Sequence, residues 1–282
     1  MSVKNFNKVY WITALQRALQ AKLVFTNYAN KNYQGVLKNL GDTVKIMMIG
    51  DVAVNDYVQN TNINTAEDLN DAALMLTADQ AKYFNFKMDD VDATQEKSML
   101  MNEASSKAAF ALDKAVDEYY AGLYANAGYQ IYATGTTPYD INSVNVEDVI
   151  YAVKEVMDKN DMPETGRFWT CPSWFELKLL QAGLVTKTSN DAAFASGKLG
   201  NVAGFEFTRT NRLSEASTDT DVRMMVGINQ MSYSHAGVIN EVEAYKPELR
   251  FEDAIKGLYV FGGKILRPDV TICVHGTKAS EA

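Results

Sequence analysis

Cysteine and histidine are scarce in this chain, whose 282 residues include two of each. Cys171 and Cys273 form no CxxC pair, so neither a disulfide scaffold nor a zinc ribbon is expected. His235 and His275 have no Cys, His or carboxylate at metal-ligand spacing. We therefore predict two buried thiols and no metal site.

Nucleotide-binding and hydrolase motifs are also lacking. Residues 257–266 resemble a phosphate loop, but Leu258 stands where a Walker A motif needs its first Gly, and Ile265 replaces the required Ser or Thr. No Gly-x-Ser-x-Gly elbow is present, and no Gly-x-Gly-x-x-Gly turn follows a strand. The segment is expected to be a strand with a glycine kink or bulge. The sequence predicts no catalytic residue and no cofactor, with catalysis by scattered carboxylates as the alternative.

Positive charge is in short supply. The chain has 27 Lys and Arg against 35 Asp and Glu, a net charge of −8, which argues against a protein that grips phosphate backbones. Residues 52–81 contain no Lys or Arg at all. The acidic residues in or beside that segment are Asp51, Asp56, Glu67, Asp68, Asp71 and Asp79.

The same region has the pattern of a long β-hairpin. Residues 43–49 are β-formers that make a first limb, residues 59–64 are a polar tip, and apolar–polar alternation through 74–88 predicts the return limb. An acidic arm of this kind gains little by folding back on an acidic body. It either reaches a basic surface on a neighbouring molecule or is a solvated loop.

Residues 94–127 form the only stretch that predicts one long uninterrupted helix. It contains no Pro, and Asp92 with Gln95 makes a capping-box variant at its start. At about 50 Å, such a helix suits a strut along a subunit. The preceding Asp89, Asp90 and Asp92 complement the helix dipole, with a divalent-metal role as the alternative. A stripe of small residues is expected to let another element approach: Ala104, Ala108, Ala111, Ala115, Tyr119 and Gly122.

The remaining segments predict an arm and an α/β unit. Residues 9–25 are expected to form an amphipathic helix, too polar to span a bilayer, docked on its own core or on a neighbouring subunit. A helix capped by Ser143, a buried strand at 167–170 and a helix with Pro172 as its first residue make an α/β layer. Residues 241–274 then return to β strands.

This order of parts resembles that of tailed-bacteriophage major capsid proteins. Four stretches, spread over nearly the whole chain, carry the resemblance. They are Gly41, Asp42, Thr43, Val44, Lys45 and Ile46; Asp79, Gln80, Ala81, Lys82, Tyr83, Phe84, Asn85, Phe86, Asp89 and Asp90; Gly200, Asn201, Val202, Ala203, Gly204, Phe205, Glu206, Asn211 and Leu213; and Gly257, Gly262, Lys264, Arg267 and Pro268.

The resemblance implies an α+β fold with four parts. These are an N-terminal arm (1–40), a β-hairpin called the E-loop (41–90), a peripheral domain with the spine helix and a β-sheet (91–142 and 241–282) and an α/β axial domain (143–240). In such shells the E-loop lies over the neighbouring subunit, and the arm reaches across another contact. The residues expected at these contacts are Asp51, Asp56, Tyr57, Glu67, Asp68 and Asp71 in the E-loop, and Tyr10, Trp11 and Arg17 in the arm.

The function that the resemblance implies is that of a non-enzymatic major capsid protein. Its copies would assemble as hexamers and pentamers into the icosahedral shell of the virion, and would reside in the host cytoplasm during assembly. Implied partners are a separate scaffolding protein, a portal protein and packaged double-stranded DNA held without sequence-specific contact, with no membrane. An encapsulin-like compartment shell is the nearer alternative, and a soluble α/β enzyme is the farther one.

Two departures from the family narrow this expectation. Some members cross-link covalently through a lysine in the hairpin, and the absence of lysine from residues 52–81 predicts a non-covalent shell. Some members carry a long N-terminal scaffolding segment. Here the arm begins almost at Met1, which implies a separate scaffolding protein or a segment already removed.

Overall fold

The structure, a computed structural model, describes residues 23–49, 54–57, 59–60, 62, 71–89, 97–184, 201–215, 218–247 and 252–279. In these residues the chain is mixed α and β, with sheets of two, three and seven strands. None of the helices in this described part is long and apolar enough to cross a bilayer.

Along the chain, the strands pass from the two-stranded sheet to the three-stranded sheet and then to the seven-stranded sheet. The chain afterwards returns to the three-stranded sheet and ends in the seven-stranded sheet. The helices are α1 (Phe25–Tyr28), α2 (Lys97–Gly122), α3 (Val146–Lys159) and α4 (Ser173–Gln181). The strands are β1 (Thr43–Ile49), β2 (Asp71–Thr77), β3 (Gln80–Asp89), β4 (Tyr129–Ile131), β5 (Tyr139–Ile141), β6 (Arg167–Cys171), β7 (Asn201–Val202), β8 (Phe205–Arg209), β9 (Val222–Ile228), β10 (Tyr233–Tyr245), β11 (Glu252–Ile265) and β12 (Ile272–Lys278).

The two-stranded sheet is the root of the expected hairpin. Strands β1 and β2 pair antiparallel along their whole lengths. The prediction that the return limb extends through residue 88 is wrong, because β3 pairs with β11 instead. Alternation of apolar and polar residues continues across the short connection between β2 and β3. The pattern therefore does not reveal that the chain changes sheets there.

The three-stranded sheet has the order β10–β11–β3, with antiparallel pairing throughout. The kink or bulge expected in the glycine-rich segment is not in β11; the register shift lies in its partner strand, between Ile239 and Glu241. The glycines permit close packing instead. A Cβ on Gly262 would overlap the carbonyl oxygen of Thr77, and one on Gly263 would overlap the ring of Tyr120.

Helix α2 is the expected spine helix, continued by a 3₁₀ turn at Leu123–Asn126. It has 26 residues, which corresponds to about 39 Å; the predicted cap at 92–95 lies outside the described residues. The small-residue stripe is not the buried face, because Ala111 is exposed. The buried apolar side chains are instead Ala109, Leu112, Val116, Tyr120 and Ala121. Larger apolar groups gain more from leaving water, which favours that face.

The seven-stranded sheet has the order β4–β12–β9–β6–β8–β7, with β5 also paired to β12. All five residues of β6 are buried, in agreement with the predicted buried strand. In this sheet the Trp169 ring stacks with Phe207, with centroids 5.4 Å apart, and with Phe175 of α4 at 5.7 Å. Helix α3 adds Val149, Val153 and other apolar side chains to the same core.

The starts of α3 and α4 differ slightly from the prediction. Ser143 does not cap α3; the Asn142 side-chain oxygen accepts the backbone N–H groups of Val144 and Asn145 at 2.8 Å. An asparagine side chain holds such a turn more strongly than a serine hydroxyl does. Pro172 is extended and immediately precedes α4, so it is the N-cap rather than the first helical residue.

Sheet membership does not follow the proposed domain ranges. Strands β4, β5 and β12 come from residues 91–142 and 241–282, yet they pair in the seven-stranded sheet. Strand β10 begins within 143–240 and pairs with β11 in the three-stranded sheet. The division into a peripheral and an axial domain thus remains a proposal.

Candidate assembly interface

The hairpin root has one covered face and one exposed face. Side chains alternate along each strand. Ile46 is 6% exposed and Leu76 is 0% exposed, in a small apolar cluster with Leu37, Ala236 and Val260. On the opposite face, Met47 is 70% exposed and Met75 is 50% exposed. The subunit therefore anchors one face of the hairpin root and leaves the opposite face exposed to solvent.

The predicted E-loop residues are only partly described. Residues 54–57, which include Asp56 and Tyr57, are exposed. Asp71 lies at the start of β2, opposite Ile49. Asp51, Glu67 and Asp68 lie outside the described residues, as do Tyr10, Trp11 and Arg17 of the arm. Of the predicted site residues, the structure thus describes only Asp56, Tyr57 and the backbone of Asp71.

Polar contacts tie the hairpin root to the rest of the subunit. The Tyr119 hydroxyl of α2 lies 2.9 Å from the Gly263 carbonyl oxygen and 3.1 Å from Asp79 Oδ1. Burial, followed by the Asp79 carboxylate, raises the pKa of Tyr119 to about 12. Lys264 Nζ also donates to the Met75 carbonyl oxygen, at 3.2 Å. The spine helix and β11 together fix where the hairpin leaves the body.

A second polar cluster lies buried between the spine helix and the three-stranded sheet. The Tyr120 hydroxyl is 2.7 Å from His235 Nδ1, and the Tyr259 hydroxyl is 3.3 Å from His235 Nε2. Burial, with a smaller contribution from the charge of Lys31, lowers the pKa of His235 to about 4. Burial also raises the pKa of Tyr120 well above its usual value. The cluster is therefore neutral at pH 7.

The carboxylate of Asp117 anchors the start of the described chain to the spine helix. It is fully buried and accepts the backbone N–H groups of Val24 and Phe25, each at 3.3 Å. Arg212 Nη1, from the segment after β8, lies 2.8 Å away. Burial raises the pKa of Asp117, against the lowering effect of these donors. One side chain thus joins three distant parts of the sequence.

Sequence reasoning missed this anchor. A signal was present, because Asp117 falls between Val116 and Tyr120 on the face that is buried, where an acidic residue needs partners. The chain around α1 is held in other ways too. The Tyr233 hydroxyl donates to the Phe25 carbonyl oxygen at 2.7 Å, and the Tyr28 hydroxyl contacts that of Thr208.

Sequence spacing also missed a Cys–His–Asp arrangement that involves strand β12 of the seven-stranded sheet. His275 Nδ1 is 2.6 Å from Asp221 Oδ1, and its Nε2 is 3.6 Å from Cys273 Sγ and 2.9 Å from Gln130 Oε1. Cys273 is fully buried, as predicted, and burial raises the pKa of its thiol to about 12. A buried, protonated thiol is a poor nucleophile.

Within the part of the chain that the structure describes, no group of three or more His, Cys, Asp or Glu is placed to hold a metal ion. The side chains of the Asp89, Asp90 and Asp92 cluster lie outside that part. The two readings of that cluster, dipole complement or metal ligand, both remain predictions.

Comparison with known proteins identifies the chain's relatives. A family model described as phage capsid protein matches residues 74–272. Mycobacterium phage Che8 provides a similar structure, with 23% identity, a TM-score of 0.68 and coverage of 89% of this chain and 90% of that chain. The capsid of cyanophage P-SCSP1u has 17% identity and a TM-score of 0.68, with coverage of 91% and 89%.

A third similar structure comes from an archaeon. The virus-like particle from Pyrococcus furiosus has 10% identity and a TM-score of 0.58, with coverage of 94% of this chain and 98% of that chain. At such identities these structures establish the fold. No curated protein matches the chain by sequence.

Proposed function

Since this chain belongs to the phage capsid protein family and is a major capsid protein of the virion shell, we propose that its copies form hexamers and pentamers of an icosahedral shell. The hairpin carries this proposal, because one of its faces is anchored to the subunit while Met47 and Met75 on the other face are exposed. Surfaces of this kind are typical of subunits that are completed by neighbours.

Particle formation tests the proposal directly. Electron microscopy and gel filtration of the purified protein under assembly conditions should show megadalton shells or free capsomers. A stable monomer under every condition would contradict it. A substitution on the exposed face of the hairpin tests the contact itself. Met47→Asp should reduce assembly, because contact with a neighbour would bury an unpaired carboxylate, which is costly. The matched change Val144→Asp, at another exposed apolar position, controls for the added negative charge.

We assign the interface residues on the same basis. Asp56 and Tyr57 lie on the exposed part of the hairpin, which supports their role in contact with a neighbour. Asp51, Glu67, Asp68 and Asp71 complete the proposed E-loop contact, and Tyr10, Trp11 and Arg17 form the proposed contact of the arm. The proposed ranges are 1–40 for the arm, 41–90 for the E-loop, 91–142 with 241–282 for the peripheral domain, and 143–240 for the axial domain.

The remaining partners follow from the role of a shell. We propose a separate scaffolding protein, a portal protein and double-stranded DNA packaged without sequence-specific contact, with assembly in the host cytoplasm. The net charge of −8 supports a wall that does not adhere to DNA. We also propose that the protein is structural rather than catalytic. The buried, protonated Cys273 supports this, because it leaves the Cys–His–Asp arrangement without a reactive thiolate.

The shell is proposed to be non-covalent, because residues 52–81 contain no lysine. Assembled particles that are boiled in denaturant should therefore migrate as a single band of monomer on a denaturing gel. A ladder of covalent oligomers that survives reducing agent would contradict this prediction. Unassembled subunits from the same preparation provide the reference band.

An encapsulin-like compartment is the second candidate. The match to the phage capsid family over residues 74–272 favours a viral shell over such a compartment. The contents of particles purified from producing cells distinguish the two. Packaged DNA supports the viral role, and a folded enzyme enclosed in stoichiometric amounts would support the compartment.

A further inference from the structure

A closed circuit of side-chain contacts joins the end of the spine helix to the seven-stranded sheet. Gln130 Nε2 donates to the Tyr124 carbonyl oxygen at 2.8 Å, and Gln130 Oε1 lies 2.9 Å from His275 Nε2. His275 Nδ1 lies 2.6 Å from Asp221 Oδ1, and Arg223 Nη2 lies 3.3 Å from Asp221 Oδ2. The Arg223 guanidinium carbon is 4.5 Å from the centre of the Tyr124 ring, so the circuit begins and ends at Tyr124.

The members of this Tyr124 circuit come from separate parts of the fold. Tyr124 belongs to the 3₁₀ turn that continues the spine helix. Gln130 lies on β4, Arg223 on β9 and His275 on β12, and all three strands belong to the seven-stranded sheet. The spine helix itself packs on the three-stranded sheet. The circuit therefore lies where one sheet and its helix meet the other sheet.

The hydrogen bonds of Gln130 decide which of its side-chain atoms faces His275. The Tyr124 carbonyl oxygen can only accept, so the atom beside it is the amide nitrogen of Gln130. The amide oxygen then faces His275 Nε2, and that oxygen also can only accept. His275 Nε2 must therefore carry a hydrogen.

The other ring nitrogen of His275 also faces an acceptor. The Asp221 carboxylate oxygen is 2.6 Å from Nδ1, so a second proton lies between these two atoms. A neutral imidazole carries only one ring proton. The guanidinium of Arg223 on the other oxygen of Asp221 favours the charged carboxylate, which assigns the second proton to the imidazole. The geometry is thus that of an imidazolium paired with an aspartate.

The remaining groups that face His275 are compatible with a charged ring. The Tyr132 ring stacks on the imidazole with centroids 3.9 Å apart, and the face of an aromatic ring attracts a cation. Cys273 Sγ lies 3.6 Å from Nε2, and burial raises the pKa of this thiol to about 12, so it adds no charge. Farther along β12, Lys278 is paired with Asp219 at 3.8 Å.

We propose that the Tyr124 circuit is a proton-dependent clasp. It holds the end of the spine helix to the seven-stranded sheet while His275 carries both ring protons, and it opens in alkaline solution when one proton is lost. This inference goes beyond the shell function and does not rest on it. The device needs only the contacts within one subunit.

The loss of one proton breaks the circuit at Gln130. His275 Nε2 releases its proton to water, whereas Nδ1 keeps its hydrogen bond to Asp221. The bare Nε2 then faces Gln130 Oε1, and two lone pairs repel each other at 2.9 Å. Rotation of the amide cannot relieve this, because it would place the amide oxygen against the Tyr124 carbonyl oxygen. The thiol of Cys273 offers Nε2 an alternative donor, which favours the open state.

NMR of subunits with isotope-labelled histidine tests the protonation of His275. At about pH 7.5 an ordinary histidine is about nine-tenths neutral. His235, whose pKa burial lowers to about 4, provides the internal reference for a neutral ring. His275 should show hydrogens on both ring nitrogens and His235 on one, and His235→Gln identifies the signal that belongs to His275. A single ring hydrogen on His275 would overturn the proposal.

Hydrogen exchange measures the clasp itself. The backbone N–H groups between Tyr124 and Gln130 that should report it are those of Ala127, Gly128 and Tyr129, which are hydrogen-bonded at this junction. Their protection factors, each relative to the unfolded chain at the same pH, should fall about fivefold between about pH 7 and pH 9, the effect of one lost hydrogen bond. Constant protection over this range would overturn the clasp.

Three variants make the measurement specific. In His275→Gln the protection should not change with pH, because the new side chain does not titrate. Gln130→Met cuts the link to Tyr124 without altering His275, and its protection should be low at both pH values. His235→Gln is the matched control and should keep the fall, since His235 is neutral throughout. An equal fall in His275→Gln and in the unmodified protein would also overturn the proposal.

Discussion

The seven-stranded sheet and the hairpin differ in how much of their surface the subunit covers. Every residue of β6 is buried, and Trp169 stacks with aromatic rings from β8 and α4. In the hairpin, by contrast, Leu76 is fully buried while Met47 on the opposite face is 70% exposed. The described part of the α/β unit buries its aromatic core within one chain, whereas the hairpin leaves exposed the face that we propose for contact with another molecule.

Under our proposal, the difference separates residues that hold the subunit together from residues that hold subunits to each other. Burial of apolar surface stabilises a single chain only where that chain supplies both partners. The rest of the subunit packs against Ile46 through Leu37 and Val260, whereas Met47 is 70% exposed. Substitutions in the two regions should therefore affect different measurements, folding in one and assembly in the other.

The largest expected effect comes from Trp169→Ala. Removal of this fully buried ring should lower the free energy of unfolding of the subunit by about 3–5 kcal/mol. Met47→Ala should change it by less than about 0.5 kcal/mol, because the side chain is mostly in water. Urea denaturation of unassembled subunits measures both. Equal losses in the two variants would contradict the proposed separation.

Asp117→Ala should have a somewhat smaller effect, a loss of about 3 kcal/mol, because it leaves Arg212 and two backbone N–H groups without their buried acceptor. The neighbouring Glu118→Ala is the matched control on the same helix. Glu118 is half exposed and pairs with Lys114 at 3.6 Å, so its loss should cost less than about 0.5 kcal/mol. Thermal unfolding of both variants would reveal whether Asp117 is a structural anchor.

A third effect, similar in size to that of Asp117→Ala, is a dependence of stability on pH that arises from His235. Its pKa falls from 6.5 in the unfolded chain to about 4 in the fold. Between these values the unfolded state binds a proton that the folded state does not. Stability should therefore be complete above about pH 7, decline from pH 6.5 to pH 4, and level off about 3 kcal/mol lower.

A comparison of slopes isolates this contribution. The groups that face His235 are the hydroxyls of Tyr120 and Tyr259 and the charge of Lys31. In His235→Gln the slope of unfolding free energy against pH between 4 and 6.5 should be shallower than in the unmodified protein, whatever its absolute stability. Identical slopes would show that the histidine is not buried in its neutral form.

The sequence predicted the hairpin, the spine helix, the buried strand at 167–170 and the buried thiols. Each of these depends on the local periodicity of apolar residues or on the ordinary burial of small side chains. It expected another element to approach the spine helix along the small-residue stripe, where Ala111 is exposed, and it continued the return limb into β3, which pairs with β11 instead. Periodicity shows which positions share a face and not which element covers that face.

The amino-acid sequence by itself determined the order of elements, the acidic hairpin and the absence of catalytic motifs, because these are properties of composition and short-range spacing. Only the tertiary structure decided that Thr77 and Tyr120 pack closely against Gly262 and Gly263. It also decided that Asp117 accepts hydrogen bonds from the start of the described chain, and that β12 pairs in the seven-stranded sheet. Those contacts join residues far apart in the chain. Their partners are selected by packing in three dimensions, which no local pattern encodes.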